Sequence, residues 1–277
     1  MGINFSEENI VRLEEMSKRI RKRALDMALA AGTKGAHIGG SFSCMEIMTV
    51  LYGEVLHLDP KNPTRQDRDR LLISKNHCTI AHFPALVEAG YLEEAELNQY
   101  VKDGSRLIGY PYNPCIGLEY SGGSLGMAIS VAIGQALALK LKGMQNKFYV
   151  LMGDGELNEG SVWEAFMSAA HYKLNNLVVI IDRNHLCYDG MTEEVMSLGN
   201  LEEKMIAFGW NSISCDGHKI VDLMRAFNEL SNIMPNVIVA NTVKGKGISF
   251  AENRPEWHQH AITEAQYEQA VRELMEG

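Results

Sequence analysis

Phe148-Tyr149-Val150-Leu151-Met152-Gly153-Asp154-Gly155, and further on Leu177-Val178-Val179-Ile180-Ile181-Asp182-Arg183-Asn184, decide the architecture of this chain. Each begins as a short apolar run and ends in turn residues, the signature of a strand buried on both faces. The stretch between them reads as helix. Strand, Gly-rich turn, helix, strand is one βαβ unit, with parallel strands and a right-handed crossover. Asp154 and Asn184 then leave the sheet at the same carboxyl edge, where open α/β sheets bind ligands. A carboxylate and a side-chain amide brought together there suit a hard cation such as magnesium, which is held by a few protein oxygens and by phosphate oxygens. The flanking Gly153 and Gly155 let a phosphate approach the backbone, and the helix N-terminus that follows favours its charge. Asp-Gly is also ordinary turn chemistry; Asn184 at the end of the next strand makes the pattern more specific. Neither a dinucleotide fingerprint nor a Walker loop is present.

Working outward, the pattern predicts a helix over 7–31, stopped by Gly32, and a second opened by a capping box at Ser43 and Glu46 and running to Leu56. Leu71–Ser74 reads as a buried strand, followed by a helix that ends near Gly90. Glu93–Val101 reads as a polar helix. Residues 103–123, rich in Gly, Pro, Tyr and Asn, form a long irregular loop of the kind that is usually functional. Leu125–Leu141 is apolar on nearly all sides and is expected to be a buried helix. Strands at Asn211–Cys215 and Asn236–Val243 flank a helix at Lys219–Ser231, and Thr263 with Gln266 caps a terminal amphipathic helix. The expected fold is α/β: one parallel sheet covered by helices on both faces. The 277 residues are read as a single domain, with a core over about 19–258 and the terminal helix over 263–277.

A net charge of −9 argues against a nucleic-acid partner. No apolar run approaches the roughly 20 residues of a membrane span. The N-terminus is not a signal peptide. Met1-Gly2 with Ser6 fits the myristoylation pattern, but Ser6 serves better as a helix N-cap. Five cysteines without Cys-x-x-Cys spacing read as free thiols in a reducing cytoplasm.

Three histidines stand in loops: His37 in Gly35-Ala36-His37-Ile38-Gly39-Gly40, His77 after Ser74-Lys75-Asn76, and His258 after Trp257. Alone, a loop histidine is more often a packing or surface residue than a ligand. Their spacing makes no zinc site.

Gly153-Asp154-Gly155 with Asn184 resembles the thiamine diphosphate motif of transketolase and its relatives. Longer stretches resemble transketolase itself: Gly153–Ala165, Gly123-Ser124-Leu125-Gly126 and Thr242-Val243-Lys244-Gly245-Lys246-Gly247. The resemblance runs from about Arg19 to His258. It implies thiamine diphosphate as cofactor, with magnesium, or another divalent cation such as calcium, on Asp154, Asn184 and the Leu186 carbonyl. It implies cofactor contacts at His77, Gly123, Ser124, Leu125, Gly153, Gly155, Lys244 and His258. His37 and His258 would face the reacting carbon, and Glu159 would lie at a subunit interface in a proton path between active sites. A first-turn acid favoured by the helix dipole is the plainer reading of Glu159. The cofactor would supply the chemistry; the protein would supply binding, orientation and proton transfer by histidine.

Two departures stand out. The family's Gly-His-Pro is Gly109-Tyr110-Pro111 here, so Tyr110 replaces a histidine that contacts the hydroxyl of the transferred unit. Arg183 stands where asparagine or isoleucine is frequent. The chain also lacks the pyrimidine-binding and C-terminal parts of a full transketolase. It is therefore expected to be the N-terminal subunit of a split enzyme, inactive alone and paired with a C-terminal subunit in an α2β2 heterotetramer, transferring a two-carbon ketol unit between sugar phosphates. A related acyl or ketol transferase, similar to 1-deoxyxylulose-5-phosphate synthase or an E1α subunit, is the alternative. A cofactor-binding remnant is a third reading, and it predicts loss of Asp154, Asn184 or His77, all of which are present.

Overall fold

The computed structural model describes residues 2–276, so Met1 of the myristoylation pattern lies outside them. Ser6 is the N-cap of α1 (Glu7–Ala30), its side chain accepting from Asn9 N. α2 (Ile38–Phe42) and α3 (Met45–Val50) follow, then β1 (Arg70–Ile73) and α4 (Thr79–Glu88). α5 (Ala128–Leu141), β2 (Phe148–Gly153), α6 (Gly160–His171) and β3 (Leu177–Arg183) make the central unit. α7 (Thr192–Val195), α8 (Leu201–Ala207), β4 (Asn211–Asp216), α9 (Ile220–Asn228), β5 (Asn236–Asn241) and α10 (Glu264–Glu276) complete it. All strand pairs are parallel, in the order β1-β2-β3-β5-β4.

The continuous apolar runs are explained by alternation between two buried layers. Leu71, Tyr149, Leu151, Val178, Ile180 and Ile238 face the layer built with α1, α3, α4 and α9. Leu72, Val150, Met152, Val179, Ile181 and Val237 face the layer built with α5, α6 and α8. With both faces covered, period-2 alternation leaves no polar side, as parallel sheets require.

Several local expectations are corrected. Ser43 and Glu46 make no capping box: Ser43 Oγ donates to Asp182 (2.6 Å) and to Gly40 O, while Glu46 is drawn to Arg21 and His218. Tertiary partners outcompete the local cap, and α3 starts from Cys44. The helix does not run on regularly to Leu56, because Leu51–Val55 widens into a π turn. Glu93 does close a capping box with Glu96, but on a 3-10 helix over Glu94–Gln99. α5 is not buried all round. Ile129, Ala132, Ile133 and Ala136 face the core, whereas Val131 and Leu141 are exposed. A 3-10 turn, Gly155–Asn158, separates Gly155 from α6, so that helix does not begin at the glycine turn.

Candidate functional site

The register builds the site. Gly153 pairs with Asp182 across β2 and β3, so Asp154 and Asn184 both emerge just past the paired ends. They meet the loops after β1 and β5 and the turn into α2 around a cavity of about 360 Å³. Its lining includes His37, His77, Tyr110, Gly123, Leu125, Gly153, Asp154, Gly155, Asn184, Leu186, Lys244 and His258. Two expected residues are not in the wall. Ser124 is exposed, and Glu159 is an exposed residue at the start of α6, packed against Gly126.

His37, His77 and His258, distant in sequence, form a triangle with ring centroids 5.2, 5.4 and 5.1 Å apart. Burial, reinforced by the charge of Lys244, pushes His37 down to about 4 and His258 down to about 3. Burial, with Lys75 nearby, holds His77 well below the ordinary range. All three rings are therefore neutral at pH 7, able to accept or donate a proton. Lys244 Nζ donates to the carbonyls of Leu186 (3.0 Å) and Cys187 (3.1 Å) and bonds to His258 Nδ1 (3.0 Å). Since an ammonium has no acceptor, His258 accepts at Nδ1 and its neutral ring carries the proton on Nε2. Burial and the charge of Lys75 lower Lys244 to about 8.

Asp154 is buried. Its Oδ1 accepts from Gly155 N (2.8 Å), and its Oδ2 accepts from His185 N (2.7 Å) and from Arg183 Nη1 (3.0 Å). Burial and the charge of Asp182 raise it, while Arg183 opposes them. Asn184 Oδ1 accepts from Leu186 N (3.1 Å), and Asn184 Nδ2 donates to Asp182 (3.2 Å).

Sequence reasoning missed three buried charges here. Asp182 gathers Lys75, Ser43, Thr242 and Asn184, tying β3 to the end of α2 and to the loops after β1 and β5. Lys75 also donates to Gly40 O (2.6 Å). Glu156 accepts from Ser74 Oγ, Gly126 N (3.0 Å) and Gly153 N (3.1 Å), joining three walls of the cavity. An acid closing an apolar run, and a lysine two residues past one, were the available signals for Asp182 and Lys75. Glu156 gave none, because it stands in a turn where acids are common.

The donor set suits a diphosphate held with a divalent cation. Hard oxygens of Asp154, Asn184 and Leu186 line the same cavity as three imidazoles and an ammonium, and the ammonium already rests on the Leu186 carbonyl. Gly155 closes the fit: an added Cβ would stand 3.0 Å from Cys187 Cβ. Among the described residues no group of three His, Cys, Asp or Glu side chains could hold a metal; a set of one carboxylate, one amide and one carbonyl oxygen is of another kind.

Residues 14–275 match the family described as transketolase, thiamine diphosphate binding domain. The chain is 41% identical over 266 residues to one subunit of the apulose-4-phosphate transketolase of Phocaeicola vulgatus, covering 95% of this chain and 94% of that one. It is 36% identical to the 6-deoxy-6-sulfo-D-fructose transketolase subunit SqwG of Clostridium sp., covering 96% and 98%. Human transketolase is 34% identical, and the match spans 97% of this chain but 43% of that one. The crystal structure of the Campylobacter jejuni transketolase superposes with a TM-score of 0.89 at 28% identity, over 96% of this chain and 43% of that one. The chain thus spans less than half of the long transketolases and nearly all of the relatives that are themselves single subunits. It belongs to the transketolase family of transferases, as a thiamine diphosphate-binding domain with the extent of a split enzyme's N-terminal subunit.

Proposed function

We propose that this chain holds the diphosphate end of thiamine diphosphate and, with a second chain that completes the site, transfers a two-carbon ketol unit from a ketose phosphate to an aldose. The observation that carries the reading is the triangle of neutral histidines gathered with Lys244, Asp154, Asn184 and Leu186 around one cavity. Asp154, Asn184 Oδ1 and Leu186 O would hold magnesium or calcium, hard-oxygen ligands for a hard cation. His77, Lys244 and the Gly153–Gly155 turn would hold the diphosphate. Gly123 and Leu125 would lie against the cofactor rings. Thiamine diphosphate, when bound, supplies the nucleophilic carbon. His37 and His258 would then hydrogen-bond the substrate's hydroxyl and carbonyl oxygens as neutral rings, one nitrogen donating and the other accepting, and relay a proton between them.

A partner is supported by the surface beside the cavity. Leu125 (37% exposed), Met127 (46%) and Val131 (38%) continue into the open face of α5, with Met167 and Tyr172 exposed on and just past α6. We assign this surface to the C-terminal subunit carrying the pyrimidine-binding domain, in an α2β2 assembly with Glu159 at the contact. The names of the same-length relatives carry unusual ketoses, apulose 4-phosphate and 6-deoxy-6-sulfo-D-fructose. Tyr110 on the cavity wall fits such a specialised donor. The chain is placed in the cytoplasm, in keeping with free thiols at all five cysteines; among the described residues no helix is long and apolar enough to cross a membrane.

The test is reconstitution. The chain alone, with magnesium, thiamine diphosphate, a ketose phosphate donor and an aldose phosphate, is expected to show no turnover, and addition of a C-terminal subunit carrying the pyrimidine-binding domain is expected to give ketol transfer. Turnover by the isolated chain would refute the division of labour.

A further inference from the structure

The cavity wall beside Asp154 is a hairpin that starts two residues past Arg183. Leu186 and Met191 pair antiparallel, Cys187 N donates to Gly190 O (3.0 Å), and Thr192 N donates to His185 O (3.0 Å). The hairpin contributes Leu186, Cys187, Tyr188 and Asp189 to the lining. Its first residue, His185, adopts φ +64°, in the left-handed region that a side chain other than glycine's enters only under constraint.

The constraint is visible. Arg183 is buried, and its guanidinium forks: Nη1 donates to Asp154 Oδ2 (3.0 Å) and to Thr192 Oγ1 (2.8 Å), and Nη2 donates to Glu193. Nη1 alone reaches both the expected metal ligand and the end of the hairpin, and Nη2 fastens the residue just beyond that end. Asp154 Oδ2 also receives His185 N. Glu193 in turn receives Ser197 Oγ, Leu198 N and Gly199 N, which extends the clamp over the next segment. The geometry points to Arg183 as a positioning residue. It is a built-in cation that keeps the 185–199 wall folded against Asp154 before any metal or cofactor arrives, so that binding does not have to order that wall. A planar fork with two faces of donors suits this task; a lysine ammonium, a point charge, cannot serve both branches equally well.

Amide hydrogen exchange on the full chain, free of metal and cofactor, tests this. In the unaltered chain the amides of His185, Leu186, Cys187 and Thr192 are expected to exchange slowly. Arg183→Met is expected to speed them by about tenfold or more while amides within β2 and β3 stay unchanged, since local opening is separable from global unfolding. Arg183→Lys recovers part of the protection. Glu193→Ala, at the surface, speeds exchange at Leu198 and Gly199, and it keeps the test decisive even where Arg183→Met does not fold. Magnesium with thiamine diphosphate then restores protection in Arg183→Met, with a midpoint raised by the factor of protection lost. In the reconstituted enzyme, the cofactor's half-saturating concentration rises while kcat at saturating cofactor holds. Free exchange of these amides in the unaltered chain, or unchanged exchange in both Arg183→Met and Glu193→Ala, overturns the inference. Only the binding arm rests on the cofactor reading: an altered exchange pattern without any binding of thiamine diphosphate by the reconstituted enzyme would leave the clamp and remove that reading.

Discussion

Acidification should unfold the cofactor-free chain through its buried histidines, and His82 makes the cleanest probe. It is fully buried on α4, with Tyr52 OH at 2.7 Å from Nε2 and no partner for Nδ1. Burial alone pushes it down to about 3 from an ordinary 6.5. With the folded value depressed, the unfolded chain binds more protons between these two values. The stability this group contributes is therefore complete above about pH 7 and is lost as pH falls through 6.5 toward 3. Between pH 7 and pH 5 the loss is about 2 kcal/mol, from the ratio of proton binding at 6.5 and at about 3. His37 and His258 add losses of the same sign but smaller, since both are partly open to water. Asp154 and Glu156 oppose them: burial raises both, so protonation on acidification favours the folded chain. Against a total stability of about 5–15 kcal/mol, even the single His82 contribution is measurable. Urea unfolding followed by circular dichroism at pH 7, 6 and 5 is the assay, on the unaltered chain and on His82→Gln. The variant's stability at pH 7 is immaterial; its loss from pH 7 to pH 5 should be smaller than that of the unaltered chain by about 2 kcal/mol. Equal losses in the two proteins would refute the assignment of a neutral, proton-excluding ring to His82.

Two further outcomes are expected. Asp154→Asn keeps the shape of the site but removes its charge, and should weaken magnesium-dependent binding of thiamine diphosphate by an amount on the order of several kcal/mol, read by calorimetric titration; unchanged affinity would remove Asp154 from the ligand set. Asparagine is preferred to alanine because Arg183 stays partly satisfied, where a buried charge stripped of its partner costs roughly 3–5 kcal/mol. In the reconstituted enzyme, Tyr110→His should raise kcat/KM for xylulose 5-phosphate relative to a 1-deoxy ketose or pyruvate, because a site built around one hydroxyl rejects donors that lack it; an unaltered ratio would make Tyr110 a neutral replacement.

The local reading succeeded where the signal was itself local. Apolar runs ending in Gly153-Asp154-Gly155 and Asp182-Arg183-Asn184 read as parallel strands, and the structure pairs Gly153 with Asp182. Ser6 and Thr263 cap helices as their neighbours dictate. Ser43 and Glu46 carry the same local signature yet form no cap, because Asp182 and Arg21, far away in sequence, offer stronger buried partners. α5 is apolar all round in sequence, but a sheet covers only one side of a helix, so its other face is left for another surface.

From residue order alone came the α/β class, the sheet edge that carries the site, and, through motif resemblance, the family and its histidines. Strand periodicity and turn chemistry are short-range, and a motif is read without coordinates. Only the tertiary structure decided that three loop histidines meet within about 5 Å as neutral rings, that Lys244 bridges His258 to Leu186, and that Glu156 ties three walls together. It also decided that Arg183, a minor departure in the motif, clamps Asp154 to the hairpin beyond it. Protonation and ion pairing in a buried site depend on what other segments bring within a few ångströms and on the water they exclude, and no spacing along the chain encodes either.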